Sequence, residues 1–189
     1  MKIILIGYPG SQKIVPASKY LTSKYLKGFD ITYLNYKGHI EEWSRYVARF
    51  LEYLTDEYVI FALDDYLVSG FNEIEYNKAI TGIQSFNKNK NIWHCVKLCQ
   101  STLEEHLEYP VTTQYCIWDR EYLIGLLYRV KTPWEFEIQG SEYFRNESTC
   151  AHVPCIEYDT HSCLSSRWEG IKLDGLSQQD EFCVKQLIS

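Results

Sequence analysis

Positive charge is in short supply: 19 Lys and Arg stand against 25 Asp and Glu, a net charge of −6. Nonspecific binding to nucleic acid needs a basic surface, so this balance argues against that class of partner. An anionic small ligand stays open, because a bound cation reverses the local field. No run approaches the roughly 18 apolar residues that a membrane-spanning helix requires, so no membrane span is expected. The apolar start "MKIILIGYPG" is too short for a secretory signal peptide. No CxxC pair occurs among the seven cysteines at 95, 99, 116, 150, 155, 163 and 183. Their odd number and the missing signal lead us to expect a reducing, cytoplasmic compartment with free thiols. In such a compartment the sequon at Asn146 carries no glycan. Internal repeats, low-complexity tracts and linkers are also missing, and one domain spanning 1–189 is the expectation.

Aromatic residues, in contrast, reach 15%, with 16 Tyr and 5 Trp. Such side chains fill cores, and on a surface they suit stacking on bases or sugar rings.

"KIILIG" (2–7) is continuous, β-branched and closed by the turn-rich "GYPGS", the pattern of a fully buried strand. "FDITYLNY" (29–36), "EYVIFAL" (57–63), "NIWHCVKL" (91–98) and "VTTQYCIW" (111–118) read as further strands. Between them, "IEEWSRYVARFLEYL" (40–54) places Ile40, Trp43, Val47, Phe50, Leu51 and Leu54 on one helical face. A helix over 72–86 is capped by Asn72, another over 119–130 is opened by Asp119, and a last one over 177–188 is capped by Ser177. Strand and helix alternating from the first residues predict an α/β fold with a mostly parallel sheet flanked by helices. Ligands of such sheets sit at the carboxyl ends of the strands.

Asp64 and Asp65 lie at one of those ends, in "YVIFALDDYLV". Adjacent carboxylates disfavour each other's ionisation. A strand-end turn is one use for them, and a Mg²⁺ or Mn²⁺ site bridging to substrate phosphates is another. The apolar residues on both sides favour the second, since a solvated turn carries Gly, Ser or Asn more often. In "VKTPWEFEIQGSEYF" (130–144), Thr132-Pro133-Trp134-Glu135 matches a capping box with Pro at the first helical position. Glu135 thereby has a structural duty, returning to the Thr132 amide. Glu137 has none and points away, about 200° further round the helix, which leaves it as the freer general base.

These blocks, in the order "WSRYVARFLEYLTDEYVIFALDDYLV", "TTQYCIWDREYLIGLL", "TPWEFEIQGS" and "SSRWEG", resemble GT-A-type glycosyltransferases of a bacterial and viral kind, associated with capsular or surface polysaccharides. The resemblance runs from about Trp43 to Trp168, with "PWEFE" its most distinctive piece. It implies a Rossmann-like GT-A fold that carries a nucleotide-diphosphate sugar over the N-terminal half of the sheet, a divalent metal (Mn²⁺ or Mg²⁺), and a glycan acceptor. Asp64 and Asp65 then stand for an Asp-x-Asp-like element. The third position is Tyr66, so the sequence departs from that pattern; Asp65 is favoured as metal ligand, with the ribose or sugar as the other contact. The resemblance also gives a carboxylate of the "WEFE" region, Glu135 or Glu137, the role of deprotonating the acceptor hydroxyl. Inversion at the anomeric carbon follows from that arrangement, and an internal-return mechanism with retention stays open.

By position, Tyr8 in the first turn is a candidate base platform and Asn35, ending the second strand, a candidate reader of a base edge. Trp134 and Tyr115 are candidate acceptor-sugar platforms. "GYPGSQK" is not a P-loop, since GxxxxGK[ST] fails at Gln12. In "CAHVPCIEYDTHSC", Cys150, His152, Cys155, His161 and Cys163 are chemically suited to zinc, yet the spacing fits no common zinc module and the stretch also reads as a strand. The resemblance offers His161 as a late metal ligand. Two other readings are a noncatalytic nucleotide- or glycan-binding module of the same fold and a metal-dependent phosphatase or nuclease. The second would want more ligands at other strand ends than the sequence supplies.

Overall fold

The computed structural model describes residues 1–88, 93–100, 109–147, 149–159 and 176–188. Seven strands form one sheet: β1 (Lys2–Gly7), β2 (Asp30–Asn35), β3 (Tyr58–Leu63), β4 (Leu67–Phe71), β5 (Trp93–Cys99), β6 (Cys116–Asp119) and β7 (Thr149–Asp159), in the spatial order β2-β1-β3-β6-β5-β7-β4. β1, β2, β3, β5 and β7 run one way, and only β6 and β4 run against them. The sheet is therefore mostly parallel, as the strand–helix alternation predicts. Among the described residues six α-helices accompany it: α1 (Val15–Tyr25), α2 (Trp43–Glu52), α3 (Glu73–Lys88), α4 (Arg120–Leu127), α5 (Pro133–Glu147) and α6 (Gln178–Ile188).

The buried strands read from the sequence are buried here. Ile3 to Ile6 and Val59 to Ala62 have no exposure at all. On α2 the predicted face turns inward through Trp43, Val47 and Leu51, while residues 40–42 form a 3₁₀ turn ahead of the helix. Asp119 caps α4 by accepting the Tyr122 amide at 3.1 Å, and Asn72 accepts the amides of Ile74 and Glu75 at 3.1 and 3.2 Å.

"VTTQYCIW" is a correction. Only its last residues join the sheet, as the short antiparallel β6, whereas residues 110–113 form a buried turn-rich connection. Its backbone groups are shared between α5 and isolated bonds to strands: the Val111 amide donates to Ser141 Oγ (3.1 Å), which donates back to the Val111 carbonyl (3.2 Å), while the Thr113 carbonyl accepts the Leu63 amide of β3 at 2.9 Å. A buried segment must satisfy its polar groups in some such way.

Between β3 and β4 lie only three residues. Four Cα steps span at most about 15 Å, while four strand spacings in a flat sheet come to about 19 Å. Hence the sheet curls, bringing its far edge back over the end of β3. β7 serves both halves, pairing with β5 through Lys97↔His152 and with β4 through Leu67↔Asp159 and Val68↔Tyr158.

The last helix packs on the body. Val184 and Leu176 join Ile14, Ala17, Leu21 and Leu67 in a small apolar cluster. Beside it the fully buried Asp180 accepts Lys24 Nζ (2.7 Å), Tyr25 (2.7 Å), Tyr20 (3.1 Å) and the Ser177 hydroxyl (2.8 Å), and Ser177 Oγ caps α6 by accepting the Asp180 amide at 3.2 Å. Burial alone would raise this carboxyl, but hydrogen bonds from Lys24, Tyr25, Ser177 and Tyr20 hold it down at about 2. A depressed acid contributes stability that is present above its ordinary value of 3.8 and is lost as pH falls toward about 2. Asp180→Ala removes the buried acceptor of four donor side chains and should cost about 2 kcal/mol in a urea unfolding curve at neutral pH. A loss under about 0.5 kcal/mol would mean that the cluster is solvated.

Candidate functional site

The parallel arrangement of β1, β2 and β3 carries their carboxyl ends to one rim. Gly7 pairs with Asn35 and Ile6 with Leu63, so the turn after β1, the end of β2 and the Asp64-Asp65 pair lie side by side. The Asp64 amide extends the ladder by one bond, donating to the Ile6 carbonyl at 3.1 Å. A Cβ on Gly7 would stand 2.8 Å from Asp64 Oδ2 and 3.1 Å from Ser11 Oγ, so only glycine lets the strand end pass this carboxylate. Ser11 folds the turn: its hydroxyl accepts the Tyr8 amide and donates to the Tyr8 carbonyl, both at 3.1 Å.

Both aspartates sit in a turn, as strand-end aspartates often do, yet neither is solvated: Asp64 is 2% and Asp65 1% exposed. Asp64 Oδ1 is buried with no hydrogen-bond partner among the described residues. Burial first, and the charge of Asp65 second, push the Asp64 carboxyl up to about 7, against a smaller opposing pull from Ser11. Asp65 Oδ2 accepts the Tyr8 hydroxyl at 3.0 Å. Tyr66, the residue that departs from Asp-x-Asp, is buried edge-to-face against Tyr158, with its hydroxyl 3.4 Å from Thr113 Oγ1.

An acid whose carboxyl is raised in the folded state holds its proton there after the unfolded chain has lost it. Stability therefore falls as pH climbs from about 3.8 to about 7. In chelator-treated protein, the melting temperature of the wild type should drop by several degrees between pH 5 and pH 8 relative to Asp64→Asn, measured by scanning fluorimetry. Parallel curves for the two proteins would show that Asp64 ionises like an ordinary carboxyl.

Across the rim, α5 presents Trp134 and Glu137. Trp134 is 46% exposed and meets Tyr8 edge-on, ring centroids 6.3 Å apart. Tyr8, Leu63, Asp65, Tyr66, Thr113, Pro133, Trp134 and Glu137 line a narrow cleft of about 30 Å³, room for little more than water. Any larger ligand lies across its mouth. An open cleft of about 590 Å³ elsewhere, lined among others by Phe71, Asn72, Gln100 and Glu157, touches neither aspartate.

The placement of the sequence candidates is uneven. Tyr8, Asp65, Trp134 and Glu137 converge, and Asp64 lies directly behind Asp65. Asn35 is exposed on the same rim beside Gly7. Tyr115 does not belong there: it is fully buried, its hydroxyl donating to the Tyr66 carbonyl at 3.4 Å, so it cannot serve as a sugar platform. Glu135 does its capping duty one residue earlier than expected, with Oε2 accepting the Lys131 amide at 2.8 Å while its own amide donates to Thr132 Oγ1.

Nor is Glu137 the unengaged carboxylate of the sequence argument. Its Oε1 accepts the Thr113 amide (2.8 Å), the Thr113 hydroxyl (2.8 Å) and the Thr112 hydroxyl (3.2 Å). Thr112 and Thr113 are thus the positioning residues that sequence reasoning missed. Their side-by-side hydroxyls, read in "VTTQYC" as strand residues, were the signal.

His161 and Cys163 lie outside the described residues. In the rest of that cluster, His152 Nε2 is 2.7 Å from the Cys99 carbonyl, Cys150 is in contact with Cys95, and Cys155 is buried. Among the described residues no three His, Cys, Asp or Glu side chains converge as a metal held by protein alone would need. The donor set at the aspartates still fits a hard cation that takes its other ligands from phosphate and water. Two adjacent carboxylates supply oxygen, and the buried Oδ1 of Asp64 lacks a partner that a cation would provide.

No protein-family model matches the chain, and no curated protein matches it. Among solved structures it is similar to a protein from Bacillus anthracis, crystallised with sucrose and described as a glucose-1-phosphate thymidylyltransferase. The TM-score is 0.50 at 11% identity, covering 100% of this chain and 95% of the other. It is also similar to 4-diphosphocytidyl-2C-methyl-D-erythritol synthase from Anaerococcus prevotii (TM-score 0.48, 11% identity, 98% and 97% covered) and to A197 from STIV (0.46, 14%, 84% and 84%). At these identities the likeness concerns the fold. The chain is an α/β protein of Rossmann-like, GT-A-like architecture, with no helix among the described residues long and apolar enough to cross a membrane.

Proposed function

We propose that the protein is a nucleotide-sugar-dependent glycosyltransferase, one domain moving a sugar from a nucleoside-diphosphate donor to a glycan acceptor hydroxyl. The observation that carries this reading is the pair of buried carboxylates at the shared carboxyl end of three parallel strands, facing a carboxylate and an exposed tryptophan on α5. Asp65, backed by Asp64, would hold Mn²⁺ or Mg²⁺, which supplies charge stabilisation of the diphosphate leaving group. The turn after β1 and the end of β2, with Tyr8 and Asn35, would flank the nucleotide. Trp134 offers an open aromatic face to a sugar ring, the kind of surface on which apolar sugar faces pack. Glu137, oriented by Thr112 and Thr113, would take the proton from the acceptor oxygen, a role that requires hydrogen-bond reach and a fixed carboxylate.

The likeness to a thymidylyltransferase favours a second reading, transfer of the nucleotidyl group itself from a nucleoside triphosphate to a sugar phosphate. One calorimetric panel separates the two: UDP, GDP, dTDP, CMP and the matching triphosphates, each with and without Mn²⁺. Metal-dependent binding of one diphosphate supports sugar transfer. Selection of a triphosphate over its diphosphate moves the assignment to nucleotidyl transfer, and silence across the panel removes both.

A further inference from the structure

Three strands that are neighbours in the sheet, β6, β5 and β7, each contribute a cysteine to one small cluster away from the aspartates. Cys95 on β5 is fully buried, Cys116 on β6 is fully buried, and Cys150 on β7 is half-buried. The pairing of β5 with β7 starts at Trp93↔Thr149 and resumes at Cys95↔Cys150, two residues along one strand against one along the other. Without that shift Ala151 would face Cys95. With it the two sulfurs are 3.3 Å apart, in hydrogen-bond contact. Adjacent strands lie about 4.8 Å apart, inside the range of roughly 4.4–6.8 Å over which two Cα atoms accept a disulfide.

A cation attends this pair. Lys97 is 3% exposed, and its Nζ donates to the Tyr109 carbonyl. No described carboxylate pairs with it, so it is a buried positive charge that the proposed transferase chemistry does not use. It acts on Cys150: the contact with Cys95, followed by the charge and backbone N–H of Lys97, draws the Cys150 thiol below its ordinary value despite burial. Burial pushes the Cys95 thiol far the other way, with Cys116 and Cys150 beside it adding to the effect. Cys150, whose Sγ also lies 3.2 Å from the Ala151 carbonyl, is thus the more acidic of the two thiols and Cys95 the less, the order that suits an attacking and a resolving cysteine.

We propose that Cys150 and Cys95 form a peroxide-oxidisable dithiol that closes to a disulfide between β7 and β5. The Cys150 thiolate attacks one oxygen of hydrogen peroxide, forming the S–O bond of a sulfenic acid and releasing, after protonation, one water. The Cys95 sulfur then displaces the hydroxyl, which leaves with the Cys95 proton as a second water while the S–S bond forms. Two thiols are oxidised, and one peroxide is reduced to two waters. A small oxidant suits the site because Cys150 alone of the pair reaches the surface.

The test uses the full chain under native conditions with one equivalent of hydrogen peroxide. It is followed by alkylation of free thiols, thiol counting after denaturation, and mass spectrometry of a non-reducing digest. The expected result is a fall from seven reactive thiols to five, a Cys95–Cys150 cross-linked peptide, and full recovery with dithiothreitol. In Cys95→Ala, Cys150 should stop at the sulfenic acid and be trapped by dimedone. The mapping on wild-type protein needs no variant, so a poorly folding mutant does not blunt it. A count that stays at seven, a cross-link through Cys116, or loss of thiols without any Cys95–Cys150 peptide overturns the proposal.

Discussion

In the presence of Mn²⁺, Asp65→Asn should weaken binding of the preferred nucleoside diphosphate by about 100-fold, or about 2.8 kcal/mol, while leaving the fold intact. The amide oxygen of asparagine still accepts the Tyr8 hydroxyl that Asp65 Oδ2 accepts at 3.0 Å, so the turn after β1 keeps its anchor. What disappears is one of two carboxyl groups in a site that water hardly reaches. Without metal, that loss relieves the repulsion that helps hold Asp64 protonated, so the variant should melt at or above the wild-type temperature. With metal it removes a charged ligand. A rise in stability together with a loss of binding is the signature of a carboxylate retained for a cation. If binding of the nucleotide proves equal in the two proteins with Mn²⁺ present, the aspartates have no part in holding a donor.

The second large effect is expected at Glu137. In Glu137→Gln, the amide oxygen can keep the three hydrogen bonds from Thr112 and Thr113, so the buried connection before β6 stays in place. The group loses only its basicity. Transfer should slow by about 10²- to 10⁴-fold in kcat, with donor affinity within about twofold of wild type. Glu137→Ala removes the acceptor as well, stranding the Thr113 amide, and should cost a further 2 kcal/mol or so of stability that the glutamine variant does not lose. Should the glutamine variant turn over at the wild-type rate, Glu137 is a structural clamp for residues 112 and 113, and the acceptor proton goes elsewhere.

Local chemistry carried much of the fold into view. A continuous β-branched run between turn residues has few places to go except the middle of a parallel sheet, and β1 and β3 are there. Asn72, Asp119 and Ser177 cap helices because a short polar side chain ahead of a helical stretch satisfies amides that nothing else can. The helix α1 was less visible: "VPASKYLTSKY" mixes small, polar and apolar residues, and only Ala17, Ser18, Leu21 and Thr22 are buried. β4 is short, lies at an edge and contains Gly70, so it carries little of the pattern of a strand.

The site divides along the same line. Asp64 and Asp65 could be located from sequence because their place depends on the strand immediately before them. Thr112 and Thr113 were overlooked because their environment is set by Glu137 on α5, and Tyr115 was misplaced because its hydroxyl is taken by the Tyr66 carbonyl, 49 residues away in sequence. The pattern "VTTQYCIW" has the composition of a strand. Its first half is nevertheless held by Ser141 and Glu137 in a buried connection that only the tertiary structure defines.

The three-residue link between β3 and β4 has a mechanical meaning. Asp64, Asp65 and Tyr66 are the whole of the direct chain link between β3, in the middle of the sheet, and β4 at its curled edge, and β4 in turn pairs with β7 and packs against α1. A tether with so little slack transmits displacement. Whatever grips the two aspartates also pulls on the rim strand, so occupancy of the rim and tightness of the curl become a single degree of freedom.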